Sequence, residues 1–368
     1  MKLELDAPNV GELEKEYLNK TIDSGFISTF GPNVPKFEEI FADYVNMKRA
    51  VSTQSGTAAL HVALHELGIG KDDEVIVPAL TFIATINPVV YVGAQPVFVD
   101  VDIETWNIDP YKIEESITKK TRAIIPVHLY GNPCTMGSLM DIAKKHNLYV
   151  VEDTTESLGA MYNGKHTGTF GDLGCFSFNG NKTITTGSGG MITGNNNQRM
   201  DHIKFLVNQA RDSDRGYFHP EIGFNYRMTN ISASMGLAQM ERLDELLERK
   251  KRLHAVYKEE LGGVDHISFQ KEYDGAESSW WFTCVNFKEY IDVVTLQSRL
   301  KEKGVPVRRI FMPLVEFPPY EKCRLREYEN SYRIYERGLC LPSSTLNSTE
   351  DISFVCRMII ESLEEQKR

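Results

Sequence analysis

Apolar residues along the 368-residue chain switch between two periods. Near the N-terminus, "NVGELEKEYLNKTIDSG" and "VPKFEEIFADYVNM" carry them at helical spacing, which predicts two helices separated by a turn at "STFGP". "QSGTAALHVALHELGIG" runs from a glycine-containing turn into a helix that should stop at Gly68 or Gly70, and "DEVIVPAL" is an apolar run of the buried-strand kind. Similar runs follow in "QPVFVDVD", "RAIIPVHLYG", "LYVVEDT", "GCFSF" and "GGMITG", several of them separated by helical patterns such as "MGSLMDIAKKHN". Strands alternating with helices predict an α/β fold, a mainly parallel sheet with helices on both faces. Ligands collect at the carboxyl ends of strands in such sheets, so chemistry is expected in the turns that follow these runs.

From about Thr229, "TNISASMGLAQMERLDELLERKKRLHAVYKEEL" keeps helical spacing and predicts a helix crossing from a larger lobe to a smaller one. Beyond it, "SSWWFTCVNF", "VTLQSRLKEKG", "VPVRRIFM" and "DISFVCRMIIESLEEQ" read as strand, helix, strand and terminal helix, a small α+β unit. The expected organisation is a large domain over residues 1–238, opening with the helical arm, and a smaller domain over 239–368.

Composition narrows the class. Hydrophobic residues at 41% and charged residues at 25% are ordinary globular values and exclude disordered and coiled-coil chains. The 41 Lys+Arg against 51 Asp+Glu leave a formal charge of -10, which opposes general attraction to nucleic acid or anionic lipid but leaves room for a local phosphate pocket. The acidic start and the lack of a membrane-length apolar run make the cytoplasm the expected location. Cys134, Cys175, Cys284, Cys323, Cys340 and Cys356 include no C-x-x-C pair, so buried free thiols are expected, with neither a zinc site nor a disulfide framework.

Four features fall at strand ends: "QSGT" (54–57), "TFIAT" (81–85), "VEDTTES" (151–157) and "SFNGNK" (177–182). Together they offer an anion site, an aromatic ring, a carboxylate and an amine. Ser55, Gly56 and Thr57 open a helix whose N–H groups and dipole could hold a phosphate, although Ser and Thr are also favoured as plain caps. Asp153 follows an apolar strand and needs a cationic or hydrogen-bonding partner, which a protonated cofactor ring or a helix end would supply. Lys182 is either a solvated surface charge or a desolvated amine able to condense with an aldehyde.

"GTAALHVAL", "DEVIVPALTFIAT", "QPVFVDVD", "VEDTTESLGA", "GTFGDLGCFSFNGNKTITTGSGGMI" and "GFNYRMTNISASMGLAQ", in this order, closely resemble the DegT/DnrJ/EryC1/StrS sugar-nucleotide aminotransferases. The resemblance runs from about Phe26 to the C-terminal helix. It implies a fold-type I enzyme of the aspartate aminotransferase kind that uses pyridoxal 5'-phosphate (PLP). By the same resemblance Lys182 binds the cofactor aldehyde, Asp153 partners the ring nitrogen, Phe82 stacks on the ring and Glu156 lies near the ring hydroxyl. Gly56, Thr57 and Ser177 match phosphate contacts, and Asn225 matches one that reaches in from a second subunit, which implies a homodimer with shared sites. Arg308, Arg309, Tyr226 and Arg227 are candidate substrate contacts, and Val315 stands where many relatives carry a histidine. The implied substrates are L-glutamate and a nucleotide-linked 4-keto-6-deoxy sugar. The text looks most like the branch that aminates C4 of UDP-linked N-acetylhexosamines, and GDP-perosamine synthases share much of it. A PLP-dependent sugar dehydratase would resemble it too but carries His in place of the lysine, and a regulatory phosphate-loop module would need a G-x-x-x-x-G-K-[ST] spacing that is missing.

Overall fold

The computed structural model describes residues 2–324 and 326–366. Its main sheet has seven strands, in the spatial order Arg49–Thr53, Gly190–Gly194, Leu173–Ser177, Tyr149–Asp153, Thr121–Ile124, Glu74–Pro78, Gln95–Val99. From Leu173–Ser177 to Gln95–Val99 all pairings are parallel, whereas Gly190–Gly194 is antiparallel to both of its neighbours. Six strands therefore end at one edge of the sheet, and the seventh begins there. The connection from Ser177 to Gly190, which carries Lys182, is consequently held at the edge where ligands collect.

Burial explains these elements. The helix Gly56–Glu66 buries Ala58, Ala59, Leu60, Val62, Ala63 and Leu64, and small residues on nearly every face let it lie against the sheet. It stops at Leu67, and Gly68 takes the positive φ of 69° that a left-handed helix end favours. The two N-terminal helices, Glu12–Asp23 and Asn33–Tyr44, form the expected arm and lie against the helix Asn230–Glu241.

The expected single helix after Thr229 is two helices, Asn230–Glu241 and Leu243–Leu261, separated at Arg242. Arg242 leaves regular helical geometry (φ -106°, ψ -1°), and its guanidinium bonds Asn9 and the buried Glu14 of the arm. The remaining chain builds a four-stranded sheet in the order Ile267–Phe269, Cys284–Phe287, Gly338–Cys340, Arg308–Arg309. The helices Leu243–Leu261, Val293–Glu302 and Thr349–Gln366 cover it around a core of Leu253, Val285, Leu296 and Ile359. Residues 314–324 and 326–328 return to the large core through Leu314, Val315, Tyr320 and Tyr328. Five cysteines are buried and free, and Cys323 is free and half-buried. Among the described residues no helix is long and apolar enough to cross a membrane.

Candidate active site

The carboxyl edge of the main sheet opens into a cavity of about 290 Å³, walled by both lobes. On one side the helix Gly56–Glu66 presents its N-terminus. Ser55 caps it by accepting the Ala58 N–H (3.1 Å), which leaves the Gly56 and Thr57 N–H groups for a ligand, beside the Thr57 hydroxyl. A Cβ on Gly56 would lie 2.9 Å from Ser177 Cβ and 3.0 Å from Thr155 Cγ2, so only glycine lets the helix end approach the strand ends this closely. Ser177 and Ser188 complete this hydroxyl-lined wall, with Ser188 Oγ donating to the Gln54 carbonyl (2.7 Å).

Asp153 ends its strand in the cavity floor and is 1% exposed. Its carboxylate accepts the Thr85 hydroxyl (2.7 Å) and the Thr155 N–H (3.1 Å), so it does not rotate freely.

Lys182 Nζ lies 3.8 Å from the centroid of the Trp281 ring, within cation–π range. Trp281 in turn donates its indole N–H to the Asn181 carbonyl (2.7 Å), tying the small lobe to the loop that carries the lysine. Burial holds the Lys182 amine below the ordinary lysine range, and Arg308 adds to this while Glu156 and Asp153 oppose it. Glu156 is buried beside it and accepts the Tyr130 N–H (2.9 Å). Desolvation pushes its carboxyl up to about 7, against the pull of Lys182 and of that N–H.

The cavity brings together Gly56, Thr57, Phe82, Asp153, Glu156, Ser177, Lys182 and Arg308. Phe82 is 51% exposed at its mouth, with its ring 5.6 Å from that of Phe311. Arg309, Tyr226, Arg227 and Asn225 lie elsewhere. Arg309 donates to the Tyr335 and Glu336 carbonyls at 2.6 and 3.1 Å, and Tyr226 meets His61 Nδ1 at 3.2 Å. Arg227 lines a second hollow of about 400 Å³ that shares Ser55 and Ser188 with the main cavity, and Asn225 is exposed. Val315 is a core residue, 1% exposed. Sequence reasoning missed Thr85, Trp281 and Phe311. Thr85 sits in the quoted "TFIAT", three residues after Phe82 across one turn of 3-10 helix, a spacing that could have pointed to it. Nothing local marks Trp281, whose partner Asn181 is 100 residues away along the chain.

These residues suit PLP: an outward helix N-terminus among hydroxyls for a phosphate, a desolvated amine for an aldehyde, and a fixed carboxylate for a protonated ring nitrogen. Fold and cavity together define a fold-type I, PLP-dependent aminotransferase. Residues 8–360 match the profile of the DegT/DnrJ/EryC1/StrS aminotransferase family, and the chain belongs to that family of sugar-nucleotide aminotransferases. It is 40% identical over 354 residues to the GDP-perosamine synthase of Escherichia coli O157:H7, covering 96% of each chain. It is 34% identical over 351 residues to the dTDP-3-amino-3,6-dideoxy-alpha-D-galactopyranose transaminase of Aneurinibacillus thermoaerophilus, covering 94% of each. Among solved structures, Spr1654 of Streptococcus pneumoniae in its PLP form superposes with a TM-score of 0.95 at 27% identity over the whole of both chains.

Proposed function

We propose that the enzyme transfers the amino group of L-glutamate to C4 of a nucleotide-linked 4-keto-6-deoxy sugar for surface-glycan synthesis, working in the cytoplasm as a homodimer with shared sites. The observation that carries this reading is the convergence of Lys182, Asp153 and the helix N-terminus at Gly56 on one cavity. Bound PLP would supply an aldehyde for the amine and a ring able to take up the electrons released when an amino acid loses its α-proton. The chain's part is to bind, orient and move protons. The N–H groups of Gly56 and Thr57, with Ser177, would hold the phosphate, and Phe82 would keep the ring plane. Asp153 holds a proton on the ring nitrogen. Lys182 Nζ, kept neutral more readily than a surface lysine, takes the proton from the donor's α-carbon and returns one on the far side of the transfer. Glu156 would lie near the ring hydroxyl. We assign residues 1–238 to the cofactor-binding domain and 239–368 to the smaller one.

Arg308 is the substrate contact in this reading, because it lines the cavity and its Nε and Nη2 are buried with no hydrogen-bond partner among the described residues. Asn225, exposed and two residues before Arg227 of the hollow that shares Ser55 and Ser188, is read as reaching across the dimer to the cofactor phosphate. Tyr226 and Arg227 flank it and would meet substrate only across the same interface.

Similarity to GDP-perosamine synthases favours a GDP-linked acceptor. The wording of "EDTTESLG" and "FNGNKTITTG" keeps UDP-4-keto-6-deoxy-N-acetylglucosamine as the second reading. Incubating the cofactor-loaded enzyme with L-glutamate and GDP-, UDP- or dTDP-linked 4-keto-6-deoxy sugars, and reading the product mass, decides between them. An aminated product from the GDP or UDP sugar is expected, and no aminated product from any of the three would refute the proposal.

A further inference from the structure

Residues 4–9 cross the small lobe as a strap. Glu4 and Asn347 exchange two hydrogen bonds (3.0 and 2.7 Å), the Leu5 carbonyl accepts the Ser343 N–H (2.8 Å), and the Ala7 carbonyl accepts the Ser344 hydroxyl (2.8 Å). Leu5 packs on the cluster that contains Trp281 and Phe282. With its backbone fixed on both sides, Asp6 directs its carboxylate to the active site, where Oδ2 accepts Asn181 Nδ2 (3.0 Å) and Arg308 Nη1 (3.3 Å). Both partners line the cavity, and Asn181 immediately precedes Lys182.

The geometry matters because of what else holds Arg308. Its guanidinium lies over the Phe282 ring at 4.7 Å, which fixes the plane. Rotation within that plane is set by Nη1, its one nitrogen with a protein hydrogen bond among the described residues. The free Nε/Nη2 edge is a two-pronged donor matched to a carboxylate or a phosphate, and its direction follows from where Asp6 holds the opposite corner. An ordinary exposed ion pair contributes little. This carboxylate is 22% exposed and joins donors from two lobes.

We infer that Asp6 is a positioning residue of the active site, whose single carboxylate sets the lysine loop and the free edge of Arg308 in register so that this edge meets a substrate oxyanion. The inference rests on the reading of Arg308 as a substrate contact. Two oxyanions are available, the carboxylate of the amino donor and the diphosphate of the sugar nucleotide, and separate KM values for each distinguish them.

The test uses cofactor-loaded wild type, Asp6→Ala, Asp6→Asn, Arg308→Ala and the Asp6→Ala/Arg308→Ala double variant, with L-glutamate and the sugar nucleotide that the panel above selects. Asp6→Ala should raise the KM of one substrate about tenfold, the scale of one charge-assisted hydrogen bond. Cofactor fixation at Lys182 by borohydride and the thermal midpoint should stay at wild-type values. Asp6→Asn, which keeps an acceptor oxygen, should recover part of the loss, and the double variant should match Arg308→Ala alone. Wild-type KM values in Asp6→Ala overturn the inference. So does an Asp6→Ala effect that persists undiminished in the Arg308→Ala background, or a lowered thermal midpoint with unmoved KM values, which marks a purely structural role. Wild-type KM values in Arg308→Ala overturn it together with the reading it rests on, and that failure is visible in this variant by itself.

Discussion

Asp153 and Glu156 are carboxylates three residues apart in different surroundings. Asp153 is held in place by a hydroxyl and an N–H, whereas Glu156 has one N–H against the cost of full burial. Asp153→Asn keeps the size and can still accept the Thr155 N–H, with the Thr85 hydroxyl turning from donor to acceptor, but it removes the charge. Turnover should fall by about a hundredfold or more, with the thermal midpoint near wild type, in steady-state kinetics and calorimetry. The raised carboxyl of Glu156 has a definite sign for stability. Below pH 4.5, its ordinary value, it is protonated whether the chain is folded or not; as pH rises to about 7 only the unfolded chain gives up the proton, so stability is lost across that window. The loss is on the order of 3 kcal/mol at most. Glu156→Gln should flatten the thermal midpoint between pH 4.5 and 7 relative to wild type, and parallel curves for the two proteins would contradict the burial account.

At the level of elements, the close approach of the helix Gly56–Glu66 to the ends of Tyr149–Asp153 and Leu173–Ser177 makes the hydroxyl-lined wall proposed to hold the phosphate. Gly56→Ala puts a methyl against Ser177 Cβ and Thr155 Cγ2, neither of which is the free end of a long side chain. It should cost about 1–3 kcal/mol by overpacking and weaken cofactor binding, measured by calorimetry and by titration with PLP. The helix start was legible in "QSGT", but Ser and Thr serve equally as plain caps, so the motif alone left the anion role open and only the family resemblance pointed to it. The reverse direction of Gly190–Gly194 was not legible, since a short apolar strand reads the same in either orientation, yet that reversal keeps Lys182 at the working edge. The break at Arg242 was equally hidden. Periodicity runs through it, and its cause is a tertiary contact with Asn9 and Glu14 more than 200 residues earlier.

For the whole molecule, the two-lobed α/β plan and most of the cavity-lining residues at the strand ends lay in local motifs, because turn chemistry there is short-range. Trp281, the strap at Asp6 and the departure of Arg309 from the cavity came only with the fold, since each depends on how the small lobe meets the large one. The dimer reading has its own consequence. Co-expressed Lys182→Ala and Asn225→Ala chains should regain up to roughly a quarter of wild-type activity, because half of the mixed dimers' sites would combine both native residues. Activity no higher than that of either variant alone would place Asn225 outside the partner's site. The central claim is that one amine, Lys182, carries the cofactor. Its most direct test is borohydride reduction of the PLP-loaded protein followed by peptide mass mapping. The account predicts the reduced cofactor on Lys182 alone. A label on Lys250, the buried lysine that burial pushes down to about 8, or no label on any lysine, would contradict it.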